Sequence, residues 1–271
     1  MKIVILGGSG LIGKALARNL SVSHEVQCLN RSAFKSVDVL FSLLNDCDLV
    51  IQLSGSTIAK RWTKKHLKEV WESRVDTTQM LSTAISMMTT KPRVMCASGV
   101  SFYPESDCSN PYSENDKKGE GYLTELSVAW ESAAKSISED IIILRFGVVL
   151  SRSGGAFMKL YWPYFFGLGG PIASGSQCFS WIHINDLVRS VDFIINNGQF
   201  SILATAKDIV SEVASQFAGI LKLSISFTVG IHTNNFLLLC ILLIFCIVKF
   251  LLDTASARAS AGKVFCKYRS R

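Results

Sequence analysis

The chain is poor in the residues that build metal centres and cross-linked folds. Its 271 residues include four histidines and five prolines, and its eight cysteines contain no Cys-x-x-Cys pair. Without that spacing, and with no ligand rhythm among the histidines, neither a zinc site nor a disulfide framework is expected. Charged residues are also sparse, at 18%, against 49% hydrophobic. That balance excludes a disordered or collagen-like chain and provides for a sizeable core. With a strand-like run beginning at Lys2, no signal or transit peptide is expected. Cys28 and Cys96 lie inside apolar runs, where a thiol acts as a small buried hydrophobe. A reducing, intracellular and cytoplasmic setting is expected.

The net charge of +7 is unevenly distributed. Residues 201–271 carry 8 Lys/Arg against 3 Asp/Glu, leaving 20 against 18 in the first 200 residues. A nucleic-acid-binding domain shows a basic stripe across its body. Here the excess is a tail, so nucleic acid is not an expected partner.

What the first 200 residues do have is alternation. Apolar strand-like runs stand at 2–6, 25–29, 48–53, 93–97 and 141–150, with amphipathic helical stretches near 63–88 and 122–138. Continuous apolar strands alternating with helices predict a doubly wound α/β domain around a parallel sheet. Residues 99–121 and 151–181 read as loops rich in Gly, Ser, Pro, Asn and aromatic residues, of the length that more often serves function than connection.

The run Gly7-Gly8-Ser9-Gly10-Leu11-Ile12-Gly13 follows the first strand and opens a helical pattern. Glycines at 7, 10 and 13 permit a tight turn and let backbone N–H groups approach a pyrophosphate at the helix N-terminus, which predicts a dinucleotide site. The alternative is a turn that merely connects. An NAD site places Asp or Glu after the second strand to accept from the ribose 2′-hydroxyl; this chain has Asn30-Arg31. A guanidinium there pairs with a 2′-phosphate, so NADP(H) is expected over NAD(H), unless Arg31 is a solvated loop cation.

Several segments together carry a more specific likeness: the glycine run, Leu53-Ser54-Gly55, Arg61-Trp62, Ser73-Arg74-Val75, Trp130-Glu131-Ser132-Ala133-Ala134, Arg145-Phe146-Gly147-Val148-Val149-Leu150, Gly167-Leu168-Gly169-Gly170-Pro171 and Ser180-Trp181-Ile182-His183-Ile184-Asn185-Asp186-Leu187. In order and spacing, over about residues 1–198, the chain resembles the epimerase family proteins, an atypical, epimerase-like branch of the short-chain dehydrogenase/reductase superfamily. The resemblance implies a Rossmann-type NADP-binding fold and an oxidoreductase or epimerase with an unassigned small-molecule substrate. It also implies cofactor contacts from Gly7, Ser9, Gly10, Leu11, Ile12, Gly13, Asn30, Arg31, Leu53, Ser54, Glu69, Arg74 and Val149. Leu53 and Val149 close apolar strands, where open parallel sheets bind ligands. Glu69 reads equally as a surface helix charge among Lys64, Lys65 and Lys68.

The same superfamily implies a catalytic Ser or Thr after a strand, a Tyr about two dozen residues on, and a Lys four positions beyond it. Ser98 and Tyr122 fit; the fourth position beyond Tyr122 holds Leu126. Without a cation a phenol stays near its reference pKa of ~10 and is a poor base at neutral pH. Two functions therefore remain: an NADP(H)-dependent oxidoreductase or epimerase-like enzyme with Ser98 and Tyr122 positioning the reacting oxygen, or a non-catalytic NADP(H)-binding sensor or scaffold. Tyr103 is a second hydroxyl candidate. His183 between Ile182 and Ile184 reads as structural more readily than as an acid, and Asp186 as a helix N-cap.

Beyond residue 200 the family pattern fades into a divergent segment, 201–271. Its stretch Phe236 to Leu252, interrupted only by Lys249, spans ~25 Å as a helix against a bilayer core of ~30 Å. A helix covered by protein and a membrane contact both stay open.

Overall fold

The computed structural model describes residues 1–105, 112–167, 169 and 179–197. The expected boundary near residue 200 and the stretch 236–252 lie outside them. The described residues fall into two compact units, one holding 1–105, 112–159 and 179–197, the other 160–167 and 169.

The first unit is built on five parallel strands: Lys2–Leu6 (β1), Glu25–Leu29 (β2), Leu49–Gln52 (β3), Arg93–Gly99 (β4) and Ile142–Phe146 (β5), in the order β2-β1-β3-β4-β5. Helices Leu11–Leu20 (α1), Val37–Leu44 (α2), Lys64–Glu72 (α3), Val75–Ser86 (α4) and Tyr122–Lys135 (α5) lie between them. Successive β1 side chains point to opposite faces, so Val4 and Leu6 join a cluster with Leu40, Leu81, Trp130 and Ala134, whereas Ile3 and Ile5 join Leu16, Leu20 and Leu187. A sheet apolar on both faces must be covered on both, and this one is: the fold is a doubly wound, Rossmann-like α/β domain.

From β1 the chain moves outward to β2 and then crosses back to β3, placing a topological switch point between β1 and β3. Open α/β sheets bind ligands outside the carboxyl ends of strands at such a point.

Three expectations are corrected. The run 141–150 is two strands. Gly147 ends β5, and Val148–Ser151 (β6) pairs instead with Trp181–His183 (β7) in a separate two-stranded sheet. A Cβ on Gly147 would lie 2.8 Å from the Ser180 carbonyl oxygen, so the crossing of the two segments requires glycine there. The stretch 63–88 is two helices broken at Ser73 and Arg74; the apolar period continues across the break and conceals it. The expected loop 151–181 contains a helix, Gly155–Phe165 (α6), with Pro163 inside it. Its aromatic residues masked the helical period. The last described helix is Ile184–Asn197 (α7). In the second unit, Tyr161 stacks on Phe165 and Trp162 on Phe166.

Candidate active site

At the carboxyl end of β1, Gly7 takes φ +85°, and an added Cβ would sit 2.8 Å from the Leu53 carbonyl oxygen. Gly7 N–H donates to Leu29 O (2.9 Å), and Gly10 N–H to Gly7 O (3.0 Å), closing the turn. A Cβ on Gly13 would meet Gly7 O at 2.5 Å and Gly8 Cα at 2.7 Å, so α1 seats against the turn because residue 13 has no side chain. Gly10 is the N-cap of α1 and has no side-chain cap bond; Ser9 and Gly10 are exposed, and the first turn carries no acid. The amides of Leu11, Ile12 and Gly13 therefore open the helix as donors with no intrahelical acceptor, at its positive end. This cradle fits a pyrophosphate.

Leu53 and Ser54 follow β3 directly against this turn, with Leu53 N–H donating to Leu6 O (2.9 Å) and Ser54 N–H to Gln52 Oε1 (3.3 Å). Val149 on β6 arrives from the other side: a Cβ on Gly155 would lie 2.9 Å from Leu11 Cδ2 and 3.7 Å from Val149 O.

At the end of β2, Asn30 Oδ1 accepts from Ser32 N–H (2.9 Å) and caps the short 3₁₀ turn Arg31–Lys35. Arg31 Nη2 donates to Ser56 Oγ (2.9 Å), and Ser56 Oγ donates to Glu69 Oε1 (2.9 Å), which lies 3.5 Å from Arg31. Ser56 is buried, whereas the Arg31 side chain is 78% exposed, so its remaining donors face solvent. The Glu69 carboxyl is held below the ordinary carboxylate range, chiefly by the Ser56 hydroxyl. Arg74 Nη1 donates to Ser56 O (3.0 Å) and Val70 O (3.2 Å), and its guanidinium lies 5.4 Å from the Trp130 ring. Burial lowers the Arg74 pKa. The structure thus brings Arg31, Glu69 and Arg74 together through Ser56, a residue with no signal in the sequence beyond its place after Gly55.

Ser98 and Tyr122 do not share a hydrogen bond. Tyr122 OH donates to Leu67 O (2.6 Å) beside Trp71 and Trp62, and burial raises its pKa. It borders a cleft of about 440 Å³ lined by Leu67, Trp71 and Asp76. Leu126, at the position of the superfamily's lysine, is buried in the core.

Ser98, buried near the carboxyl end of β4, donates to Glu131 Oε1 (2.8 Å). Glu131 on α5 accepts from Arg145 Nε at Oε1 and from Nη2 at Oε2, both at 2.7 Å, and Arg145 Nη1 donates to Tyr103 OH (2.7 Å). Glu131 and Arg145 are each about 3% exposed, and the guanidinium sits 3.6 Å from the Phe102 centroid. Burial lowers the Arg145 pKa, but the bonds to Glu131 and Tyr103 outweigh it and hold the group above its ordinary value. Sequence reading gave Glu131 and Arg145 no role. A charge inside the apolar strand 142–146 was the available signal, because a buried cation demands a partner.

His183 lies on β7, its Nδ1 facing Asn185 N–H at 3.3 Å. Asp186 is not the cap but sits inside the first turn of α7, paired with Arg189 at 3.0 Å. Among the described residues no cluster of three or more His, Cys, Asp or Glu stands together as a metal site.

A parallel sheet with this glycine turn at its switch point defines a Rossmann-type dinucleotide-binding domain. More narrowly, residues 3–202 match the NAD dependent epimerase/dehydratase family, and the chain belongs to it. An epimerase family protein of Staphylococcus haemolyticus is 35% identical over 213 residues, covering 72% of this chain and 71% of that one. The epimerase family protein SDR39U1 of Mus musculus is 36% identical over 208 residues, covering 72% and 70%. Among solved structures, human epimerase family protein SDR39U1 with NADPH superimposes with a TM-score of 0.67 at 32% identity, covering 76% of this chain and 73% of that one. A nucleoside-diphosphate sugar epimerase from Corynebacterium glutamicum gives 0.65 at 27% identity, covering 82% and 51%.

Proposed function

We propose that the chain is an NADP(H)-dependent oxidoreductase or epimerase-like enzyme acting on a small molecule. The observation that carries the cofactor choice is the exposed Arg31 guanidinium, held at 2.9 Å on Ser56 where an NAD site has a carboxylate. In this reading the amides around Ser9, Leu11, Ile12 and Gly13 receive the pyrophosphate, while Gly7 and Gly10 shape the turn. Arg31 and Asn30 take the adenosine ribose and its phosphate, with Glu69 and Arg74 fixing the wall behind them. Leu53, Ser54 and Val149 border the rest of the cofactor. The bound nicotinamide supplies or accepts a hydride; Ser98 and Tyr122 are the hydroxyls offered for the reacting oxygen. A human relative solved with NADPH supports the same preference.

The test is a titration of NADPH and NADH into the full chain, read by nicotinamide fluorescence. Arg31→Ala is expected to weaken NADPH roughly tenfold or more while leaving NADH unchanged, the value of a charge-assisted hydrogen bond. Equal affinity of the native chain for both nucleotides overturns the reading.

A second reading, a non-catalytic NADP(H)-binding sensor or scaffold, is favoured by one observation: Leu126 is buried where a lysine would serve Tyr122, whose hydroxyl is committed to Leu67 O. Nucleotide-dependent turnover of any substrate excludes it. For setting, the cysteines at 28, 47 and 96 are free thiols, Cys96 buried as expected but Cys28 exposed against the expectation of a buried thiol, and a reducing, cytoplasmic compartment is the setting we propose for them. Among the described residues no helix is long and apolar enough to cross a membrane.

A further inference from the structure

His66 is a buried ring with an acceptor at each end. It stands in the first turn of α3, where its backbone N–H donates to the capping Thr63 Oγ1 (3.2 Å). Its Nε2 lies 2.8 Å from the Thr57 carbonyl oxygen, and its Nδ1 lies 3.5 Å from Glu69 Oε2. A carbonyl only accepts, so Nε2 carries hydrogen; the neutral ring then turns the Nδ1 lone pair towards a carboxylate oxygen, which also only accepts. The imidazolium donates at both ends. The other oxygen of the same carboxylate accepts from Ser56 Oγ at 2.9 Å and lies 3.5 Å from Arg31 Nη2. One carboxylate thus joins a buried histidine to the exposed guanidinium at the end of β2. Lys60 in the loop before α3, Arg74 on Ser56 O, and Lys64 and Lys65, exposed on the ring's own helix, add positive charge around the cluster. They oppose protonation of the ring, as does the positive end of α3, and Glu69 favours it.

We propose that His66 is a positioning residue that couples NADPH affinity to pH: as an imidazolium it pairs with Glu69 and offsets the negative charge opposing a 2′-phosphate on Arg31, and as a neutral ring it leaves that charge standing. The proposal rests on the reading of Arg31 as the partner of that phosphate. Histidine is the side chain that changes charge across the physiological range. NADPH therefore binds more tightly when His66 is charged, and NADH, with no phosphate at that position, does not. By reciprocity, the NADPH complex holds more of the His66 proton than the free chain does. A phosphate monoester takes up a proton of its own near pH ~6 and loosens its hold on Arg31 as pH falls. The contribution of His66 is therefore the difference between two chains binding the same nucleotide.

The experiment is calorimetry of NADPH and NADH binding to the full native, His66→Gln and Glu69→Gln chains at about pH 6 and about pH 8, in two buffers of different ionisation enthalpy. His66→Gln keeps an amide donor for Thr57 O but cannot charge. It is expected to match the native chain for NADPH on the alkaline side, to bind it roughly threefold to fivefold more weakly on the acid side, and to leave NADH unchanged at both. Proton uptake with NADPH is expected to be larger in the native chain than in either variant. Adding His66→Gln to Glu69→Gln is expected to change nothing further, because no charge is left to offset. Should His66→Gln fail to fold, Glu69→Gln carries the test alone: uptake equal to the native chain's overturns the proposal. Superimposable NADPH profiles for native and His66→Gln chains also overturn it, and so does an equal loss for NADPH and NADH, the mark of a packing defect. A preference for NADPH that is indifferent to His66 sinks this proposal alone, whereas equal affinity of the native chain for both nucleotides at both pH values sinks the cofactor reading and this proposal with it.

Discussion

Glu69 sits in an electrostatically awkward place for a site that is to hold a phosphate. Its carboxylate lies 3.5 Å from Arg31 and accepts from Ser56, so it occupies part of the donor set that an incoming anion needs and repels that anion as well. Glu69→Gln is therefore expected to tighten NADPH by up to roughly fivefold and to leave NADH unchanged, in parallel fluorescence titrations. The sign with pH follows from the same contacts. The Glu69 carboxyl is held below its ordinary range, first by Ser56 and then by His66, Lys60 and Arg31, against the opposing effect of burial. A depressed carboxyl contributes stability that is fully present above the unfolded carboxyl's titration and is lost as pH falls through the folded value. Native and Glu69→Gln chains are thus expected to differ in urea midpoint at neutral pH and to converge in acid. A gap that widens on acidification refutes this account of the cluster.

Helix α5 shows how the same amino acids read differently one level up. Its start at Tyr122, 24 residues after Ser98, was legible because the spacing is a property of the chain alone. The direction of its side chains was not. Tyr122 turns to Leu67 on α3, Leu126 enters the core with Trp130, and Glu131 reaches back across 33 residues to Ser98. None of these follows from one helix's period, since they depend on which neighbour covers each face. The strands were readable as continuous apolar runs, yet the break at Gly147 was not, because the segment that demands it, Ser180–Trp181, arrives more than thirty residues later. This placement decides whether the missing lysine can be put back. Leu126 is 4% exposed, so Leu126→Lys buries a cation beside Trp130 and not in a solvated dyad with Tyr122. The variant is expected to lose several kcal/mol in urea unfolding and to gain no activity. A stable, newly active Leu126→Lys chain would show that α5 presents that face to the site after all.

Across the whole first unit, the two apolar clusters that sandwich the sheet and the turn that would hold the nucleotide are mechanically one object, because the Gly7 and Leu53 backbones touch and both continue core strands. Binding should therefore be felt in global unfolding. A ligand present at 100 times its Kd contributes about 2.7 kcal/mol, and a domain of 150–250 residues gains roughly 2–4 °C per kcal/mol, so saturating NADPH is expected to raise the melting temperature by roughly 5–10 °C. NADH at the same concentration should give a smaller shift. Two substitutions separate the parts of this effect. Gly13→Ala forces a Cβ to within 2.5 Å of Gly7 O, lifting α1 from the turn, and is expected to abolish the shift from both nucleotides. Arg31→Ala leaves the turn untouched and is expected to erase only the difference between them. If Gly13→Ala retained the NADPH shift in full, the nucleotide would have to be held somewhere other than the mouth of β1, and the close approach of α1 to that turn would serve packing alone.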